Sequence, residues 1–283
     1  MKKADQAKSI ATKLSSLSKS RGVPYQIIST TFLLERLLAR LLLDSQLSKT
    51  LIFKGGYVGL RVYESPRYTI DLDAILHRAD ADETLKRALD SVQKDIGDGV
   101  WFHLESQINL KTQGEYGGTR QVFRTGIGEP LKDLRRAQTV HFDIGIGDPV
   151  TPGPVKTRTE ELIGEDELSW LVYPVETIAA EKLHALVDRG GNNSRAKDIY
   201  DLHFYLPQAD GTILTTAIER CFSFRGTPIP PDIPGLLSKI DSTLLKKGWK
   251  SATISLKEAP DFDEALDGIV KELRRNLTRG ARK

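Results

Sequence analysis

The chain has 283 residues, of which 39% are hydrophobic and 28% are charged, and its formal net charge is +3. This composition is typical of a globular protein and excludes a membrane-spanning one, because no apolar run approaches the roughly 20 residues that cross a bilayer. A single cysteine, Cys221, excludes an internal disulfide and a cysteine-based zinc cluster.

The N-terminal segment is predicted to form two helices, over residues 3–19 and 24–44. In the second helix, apolar residues such as Phe32 and Leu41 follow the 3.6-residue period of an amphipathic helix. The first residues include lysines but neither a long apolar segment nor a cleavage site. We therefore expect the chain to stay in the cytoplasm.

The middle of the chain is predicted to alternate between strands and helices. A buried strand over 50–54 ends at Gly55 and Gly56, and a short helix over 56–63 follows. The remaining predicted elements of this region are strands over 68–76, 100–111, 119–127 and 138–146 and a helix over 82–97. A segment rich in proline and glycine, over 147–155, closes the region.

The last third of the chain has an almost entirely helical pattern. Helices are predicted over residues 173–190, 195–206, 212–223, 233–247 and 261–277. The expected fold is therefore α/β (α+β), with a mixed sheet and N-terminal helices in a domain over 1–170 and an α-helical domain over 171–283.

Two aspartates lie within the predicted strand YTIDLDAIL. Because side chains at i and i+2 of a strand point to the same face, Asp71 and Asp73 project together and repel each other unless a cation joins them. Mg²⁺ fits best, since it prefers carboxylate oxygens and keeps positions open for phosphate. Asp143, in a later apolar strand, is predicted to be a third metal ligand. The alternative to a metal site is that this Asp-x-Asp sequence simply lies on an exposed strand face or in a turn.

The glycine pair is predicted to form a turn that binds phosphate. Gly55 and Gly56 stand between a strand and a helix, where backbone N–H groups approach phosphates closely and the helix dipole assists. The sequence is not a P-loop, because the required Lys-Ser/Thr does not follow.

Both ends of the chain are basic. Residues 1–21 and residues 271–283 each carry six lysines or arginines and one acidic residue. These ends either contact the backbone of a nucleic acid or are solvated tails.

Several sequence blocks occur in a fixed order: FKGG, LR and SPRYTIDLD, then FDIGIGD, YPVETIAAEKLHAL and RAKDIYDLHF. With these blocks, residues 26–205 resemble AbiEii/AbiGii-type nucleotidyltransferase toxins of the DNA polymerase β-like nucleotidyltransferase superfamily. The resemblance implies an NTP-dependent enzyme of a toxin–antitoxin or phage-defence system, which uses Mg²⁺ and has a cognate antitoxin. Some relatives attach nucleotides to the 3′ end of tRNA and so block translation, which makes RNA the expected acceptor.

The resemblance also implies roles for individual residues. The family motif that holds the triphosphate and the metal ions maps onto Gly55, Gly56, Asp71 and Asp73. Lys182 corresponds to the lysine of the AEKL block, and Asp198 to the acid of the KD block. Tyr57 departs from the family pattern, which has serine or threonine after the glycine pair to contact phosphate. A phenol is larger and must point elsewhere or bond differently, although the backbone N–H groups of the turn are unaffected.

For several residues the sequence leaves two roles open. Lys182 either has a chemical role, by binding the triphosphate or acting on the nucleophile, or extends from the surface along an apolar stripe. Asp198 either orients Lys182 or acts as a general base. Arg67 is either a phosphate clamp or a surface arginine. Asp201 and Glu181 are expected to be structural ion-pair partners.

The predicted function is transfer of NMP from an NTP to a nucleic-acid end such as that of tRNA. One alternative is an enzyme with the same site that transfers NMP to a protein hydroxyl. The other is a degenerate transferase that serves as a binding module, which the departure at Tyr57 keeps open.

Overall fold

The computed structural model describes residues 3–76, 81–110 and 117–280, so the outermost residues of both basic ends lie outside it. Contacts divide the chain into two compact units. Unit 1 comprises Met1–Glu64, Tyr68–Gly147 and Lys156–Val172, and unit 2 comprises Ser65–Arg67, Asp148–Val155 and Tyr173–Lys283. Over the described ranges, no helix combines the length and the apolar character that crossing a membrane requires.

Unit 1 is built on a seven-stranded mixed sheet. The strands are β1 (Leu51–Lys54), β2 (Asp71–Leu76), β3 (Val100–Leu110), β4 (Gly118–Ile127), β5 (Gln138–Ile146), β6 (Val155–Glu160) and β7 (Glu167–Val172). Their order in the sheet is β3-β4-β5-β2-β1-β7-β6. The β1/β7 and β2/β5 pairs are parallel, whereas β1/β2, β3/β4 and β4/β5 are antiparallel.

Five helices accompany this sheet: α1 (Lys3–Arg21), α2 (Tyr25–Leu43), α3 (Leu47–Thr50), α4 (Gly55–Val62) and α5 (Ala81–Gln93). Helix α2 is buried almost from end to end, including the charged residues Glu35, Arg36 and Arg40. Its apolar residues form much of the core, which explains why the periodic pattern of this segment is so clear. Helix α4 begins directly at the glycine pair, where β1 ends.

The central strands place their acidic residues on one face. In β2, Leu72 and Ala74 are buried, whereas Asp71 and Asp73 are only partly buried. The alternation follows from the two-residue period of a strand, which directs the apolar side chains into the core and the carboxylates to the opposite face. The sheet therefore presents the two carboxylates together.

Unit 2 consists mainly of helices around a separate core. They are α6 (Val175–Arg189), α7 (Ala196–Tyr205), α8 (Gly211–Phe224), α9 (Ile233–Leu237), α10 (Thr243–Thr253) and α11 (Phe262–Gly280). Leu183, Leu202 and Phe222 are fully buried members of this core, and Cys221 packs into it as a small apolar residue.

The fold class predicted from the sequence is confirmed: a mixed α/β arrangement precedes a series of helices. The predicted single helix over 233–247 is wrong, because the chain forms α9 and α10 there. Between them the Asp241 carboxylate accepts the N–H of Thr243, the first residue of α10, at 3.0 Å, a local side-chain bond that competes with a continuous helix. Strands β6 and β7 had no counterpart among the predicted elements.

Candidate active site

The three candidate metal ligands lie on neighbouring central strands. Asp73 of β2 and Asp143 of β5 are direct partners in the parallel pairing, and Asp71 is paired with His141. Residues that face each other across adjacent strands share one side of the sheet. The strand pairing thus brings side by side two segments that lie 70 residues apart in the sequence, as His141 and Asp71 do.

The glycine turn lies directly against one of these carboxylates. Gly55 has φ +73°, a conformation that side chains other than hydrogen disfavour. A Cβ at this position would lie 2.1 Å from Oδ2 of Asp73, so the carboxylate packs against the bare Cα atom. The start of α4 and the Asp73 carboxylate are therefore immediate neighbours.

Each of the other two carboxylates has a basic partner. His141 Nδ1 lies 2.7 Å from Oδ1 of Asp71. Arg120 of β4 donates from Nε to Oδ1 of Asp143 at 2.8 Å and from Nη2 to Oδ2 at 2.6 Å. Arg120 and His141 were not among the site residues predicted from the sequence, because only the strand pairing reveals their partners.

The electrostatics of Arg120 link it to the whole acidic group. Its hydrogen bonds with Asp143 raise the pKa of the guanidinium most; burial opposes this shift, and the charges of Asp143, Asp71 and Asp73 add to it. Arg120 is therefore a permanent cation that contacts Asp143 and whose charge is also felt by Asp71 and Asp73.

The Tyr57 side chain points into the core and not toward the glycine turn. It is 1% exposed and its ring lies 6.1 Å from that of Trp170. Burial is the largest cause that raises the pKa of its phenol, and the charge of Glu35 adds to this shift. Any contact of Tyr57 with a nucleotide at the start of α4 would thus have to come from its backbone N–H.

In unit 2, Lys182 belongs to a buried ion-pair network. Its Nζ lies 2.6 Å from Oδ1 of Asp198 and 3.0 Å from Oδ2 of Asp201. Arg195 pairs with the other oxygen of Asp198 at 3.0 Å, and the Arg67 fork binds Asp201 at 2.8 and 3.1 Å. Burial alone would lower the pKa of Lys182, but Asp198 and Asp201 outweigh it and the pKa is raised. Lys182 is therefore a fixed ammonium ion.

This network bears on the roles that the sequence left open. The carboxylate of Asp198 is 0% exposed and pairs with two cations, an environment that suits a residue orienting Lys182 better than a general base. The Arg67 guanidinium is engaged by Asp201. Glu181 accepts a hydrogen bond from Tyr173 at 3.1 Å and lies 3.6 Å from Arg225.

The chemistry of Asp71 and Asp73 fits Mg²⁺, since both offer hard oxygen donors from one strand face. A complete site is not preformed: across the described part of the chain, no three His, Cys, Asp or Glu side chains are grouped so that they could hold a metal ion. The engagement of Asp143 by Arg120 is one physical reason.

The sequence profile of a family described as "Nucleotidyl transferase AbiEii toxin, Type IV TA system" matches residues 36–268, which is most of the chain. The chain belongs to the AbiEii family. This AbiEii protein is therefore a nucleotidyltransferase that uses an NTP, and a toxin of a type IV toxin–antitoxin system with an antitoxin as its partner.

Solved structures show the same fold. The AbiEii protein is similar to JHP933 from Helicobacter pylori, with a TM-score of 0.51 and 17% identity over 92% of this chain and 95% of that one. A second H. pylori protein, described as a candidate nucleotidyltransferase, gives the same TM-score and identity, with 92% of this chain and 98% of that one covered. No curated protein matches the sequence.

Proposed function

We propose that the protein transfers an NMP from an NTP to the end of a nucleic acid, with the 3′ end of tRNA as the acceptor, in a Mg²⁺-dependent reaction that blocks translation. The observation that carries the proposal is the contact between Gly55 and the Asp73 carboxylate. A carboxylate that would suit a metal ion lies there beside the start of α4, whose backbone N–H groups would suit phosphate. Acidic metal ligands next to a phosphate-binding turn are what phosphoryl transfer requires.

In the proposed reaction, the acceptor hydroxyl attacks the α-phosphorus of the NTP, its proton passes to water, and the bond to pyrophosphate breaks. Asp71 and Asp73 would hold Mg²⁺, which supplies positive charge to the phosphates. Asp143 would join them, and the N–H groups of Gly55, Gly56 and Tyr57 at the start of α4 would bind phosphate oxygens. Positioning and electrostatics would account for most of the rate enhancement.

Within unit 2, Lys182 would bind an anionic phosphate, and Asp198 would orient it. The 2.6 Å bond between these two residues and the raised pKa of Lys182 support this assignment, since both keep the lysine charged and in one place. Arg67 would hold Asp201, which also contacts Lys182, and so would help to fix the position of the lysine.

The basic N-terminal helix would contribute contacts to the RNA backbone. All of its described lysines and arginines are exposed: Lys3, Lys8, Lys13, Lys19 and Arg21. Binding through such residues weakens steeply with salt, because each phosphate contact releases a condensed counterion.

The test is a transfer assay with each of the four labelled NTPs, total RNA and Mg²⁺. We expect label in RNA for the wild-type protein, and loss of at least about 100-fold in Asp71→Ala and Asp73→Ala, since each removes a charged metal ligand. Glu167→Gln, in an exposed ion pair of β7, serves as the control and should label RNA as the wild type does.

The other outcomes of this assay distinguish the alternatives. Label found only in the protein fraction would favour transfer to a protein hydroxyl. Full activity in both aspartate variants would refute the metal site. An absence of labelling, together with no Mg²⁺-dependent NTP binding by calorimetry, would identify a binding module that has lost catalysis.

A further inference from the structure

One candidate metal ligand, Asp143, has both carboxylate oxygens engaged by a single arginine. Arg120 Nε and Nη2 contact Oδ1 and Oδ2 at 2.8 and 2.6 Å. This is the two-point geometry in which a planar guanidinium matches a carboxylate, and it is among the strongest polar contacts that side chains make. The strand pairing supports it, because Arg120 and Asp143 are direct partners across β4 and β5.

The contact belongs to a row of charged residues that crosses four strands. Lys54 pairs with Asp73, Asp73 with Asp143, and Asp143 with Arg120. Residues paired in this way lie on one face of the sheet. The row thus has two carboxylates in the middle and a cation at each end, and Asp71 adds a third carboxylate two residues away on β2.

A divalent cation bound to Asp143 and the two hydrogen bonds from Arg120 would need the same carboxylate oxygens. The ion would take oxygens that the guanidinium now contacts, and it would lie close to a permanent positive charge. Like charges at such a distance disfavour each other. In addition, Arg120 reduces the formal charge of the three carboxylates from −3 to −2, which weakens their attraction for any cation.

We infer that Arg120 and a divalent cation compete for Asp143, so that Arg120 sets the metal affinity of the acidic cluster formed by Asp71, Asp73 and Asp143. The inference rests on the proposed function, because it presupposes metal binding at Asp71 and Asp73. Arg120 is then a positioning residue that holds the Asp143 carboxylate in place. The cluster binds a divalent cation weakly by itself and takes it up chiefly together with the NTP, whose phosphates supply the missing negative charge.

The experiment measures binding of Mn²⁺ alone, without nucleotide, from the electron paramagnetic resonance signal of the free ion. Arg120→Gln removes the competing charge and should bind Mn²⁺ about tenfold more tightly than the wild type, the size of effect that one neighbouring charge has on a carboxylate. Its thermal stability in a chelating buffer should fall, because three carboxylates then repel one another, and Mn²⁺ should restore it.

Arg124→Gln is the matched control. Arg124 lies on the same face of the same strand and forms an equivalent fork with Glu105, with both contacts at 2.8 Å, yet this fork involves none of the three aspartates. It should leave the Mn²⁺ affinity unchanged. Arg120→Lys keeps the charge without the fork, and its affinity should fall between those of the wild type and Arg120→Gln.

The outcomes separate this inference from the proposed function. If wild-type protein binds Mn²⁺, Asp73→Ala loses the binding and folded Arg120→Gln binds no more tightly, competition is refuted while the metal site stands. If the wild type, Arg120→Gln and Arg120→Lys bind Mn²⁺ only when an NTP is added, the inference is refuted and the metal site stands. If none of them binds Mn²⁺ either alone or with an NTP, both the inference and the metal site are refuted. Tight binding that appears only in Arg120→Gln supports competition.

Discussion

The contact between Gly55 and the Asp73 carboxylate leaves no room for a side chain at position 55. Two separate features disfavour a side chain there. The backbone φ is +73°, and a Cβ would lie 2.1 Å from a carboxylate oxygen of Asp73. The first feature affects only the backbone conformation, whereas the second affects the position of the Asp73 carboxylate, a candidate catalytic group. A suitable control separates them.

We predict that Gly55→Ala displaces Asp73 and lowers nucleotide transfer by at least about 100-fold, because small misplacements of a reacting geometry are costly. The backbone strain of an alanine at this φ contributes a further destabilisation of about 1–2 kcal/mol. Transfer per folded molecule, measured at a temperature where the variant is native by circular dichroism, checks the prediction.

Gly97→Ala is the control for strain alone. Gly97 has φ +75°, yet a Cβ there meets nothing within 4 Å. This variant should lose stability without losing transfer. Equal transfer by the two alanine variants would show that the Asp73 position does not depend on Gly55.

Candidate site residues differ in how readily they can be recognised from the sequence. Gly55, Asp71 and Asp73 stand out because polar or small residues interrupt apolar segments at short, regular spacing. Arg120 acts through Asp143, which is 23 residues further along the chain, and no local pattern indicates that pair. Likewise, the sequence shows that Tyr57 is unusual but not that its ring packs against Trp170.

At the scale of elements, α4 is fixed to α2 through a buried ion pair. Arg61 Nη1 of α4 lies 2.6 Å from Oε2 of Glu35, which is 1% exposed, and both oxygens of Glu35 accept the N–H of Leu162 at 3.0 and 2.9 Å. Burial raises the pKa of Glu35, and Arg61 opposes this shift most strongly. Arg36, 3.5 Å from Oε1, opposes the shift as well, so the carboxylate depends on two arginines for charge compensation, chiefly on Arg61.

Removal of this arginine is expected to be costly. Arg61→Met leaves the Glu35 charge buried with less compensation and should lower the free energy of unfolding by about 3–5 kcal/mol, as for other broken buried pairs. Adding Glu35→Leu should recover part of that loss, because the undercompensated buried charge is then gone. Urea unfolding of both variants, with Glu167→Gln as the exposed-pair control, tests this. A double variant less stable than Arg61→Met would contradict the prediction.

Helices and strands could be predicted where burial of one face makes apolar residues recur at regular spacing in the sequence. Helix α2 and strands β4 and β5 appear close to their predicted ranges, since their apolar residues face one core. Strand β6, with the sequence VKTRTE, lies at the edge of the sheet and is largely exposed. No apolar alternation marks such a strand, because neither of its faces is deeply buried. The break between α9 and α10 contains a local side-chain bond from Asp241 to Thr243, which apolar periodicity does not reveal.

At the scale of the whole molecule, the chain passes between its two units more than once. Ser65–Arg67 and Asp148–Val155 belong to unit 2, although the residues on both sides of each segment belong to unit 1. Arg67 binds Asp201 and Asp148 binds Arg225, so these short segments make specific ion pairs within unit 2. Apolar periodicity and composition describe contiguous ranges, and a discontinuous unit therefore lies beyond what they can predict.

Asp148 and Arg225 also act on the charge of a buried histidine, His184, whose protonation we expect to be coupled to unfolding. His184 Nε2 lies 2.8 Å from the Thr227 hydroxyl, and Nδ1 lies 3.4 Å from Nη1 of Arg225. Burial lowers the pKa of His184 most, and the charge of Arg225 lowers it further. Acidic groups that partly oppose this shift are Asp188, Asp148 and Glu181. The imidazole is therefore neutral in the folded protein near neutral pH.

The sign of the pH dependence follows from this lowered pKa. An unfolded histidine titrates near 6.5, so below that pH the unfolded chain takes up a proton that the folded chain does not. The contribution of His184 to stability is complete above pH 6.5 and is lost as the pH falls toward the folded pKa. Its slope cannot exceed about 1.4 kcal/mol per pH unit, the limit for one proton.

We predict that His184→Gln reduces the loss of stability between about pH 7 and pH 5, because glutamine keeps a donor for Thr227 without taking up a proton. Urea unfolding at several pH values measures this difference directly. The control His103→Gln removes an exposed histidine of β3, which is solvated in both states, and should retain the wild-type profile. If His184→Gln and the wild type lose stability in parallel over this range, then the buried imidazole is not the group that couples protonation to unfolding.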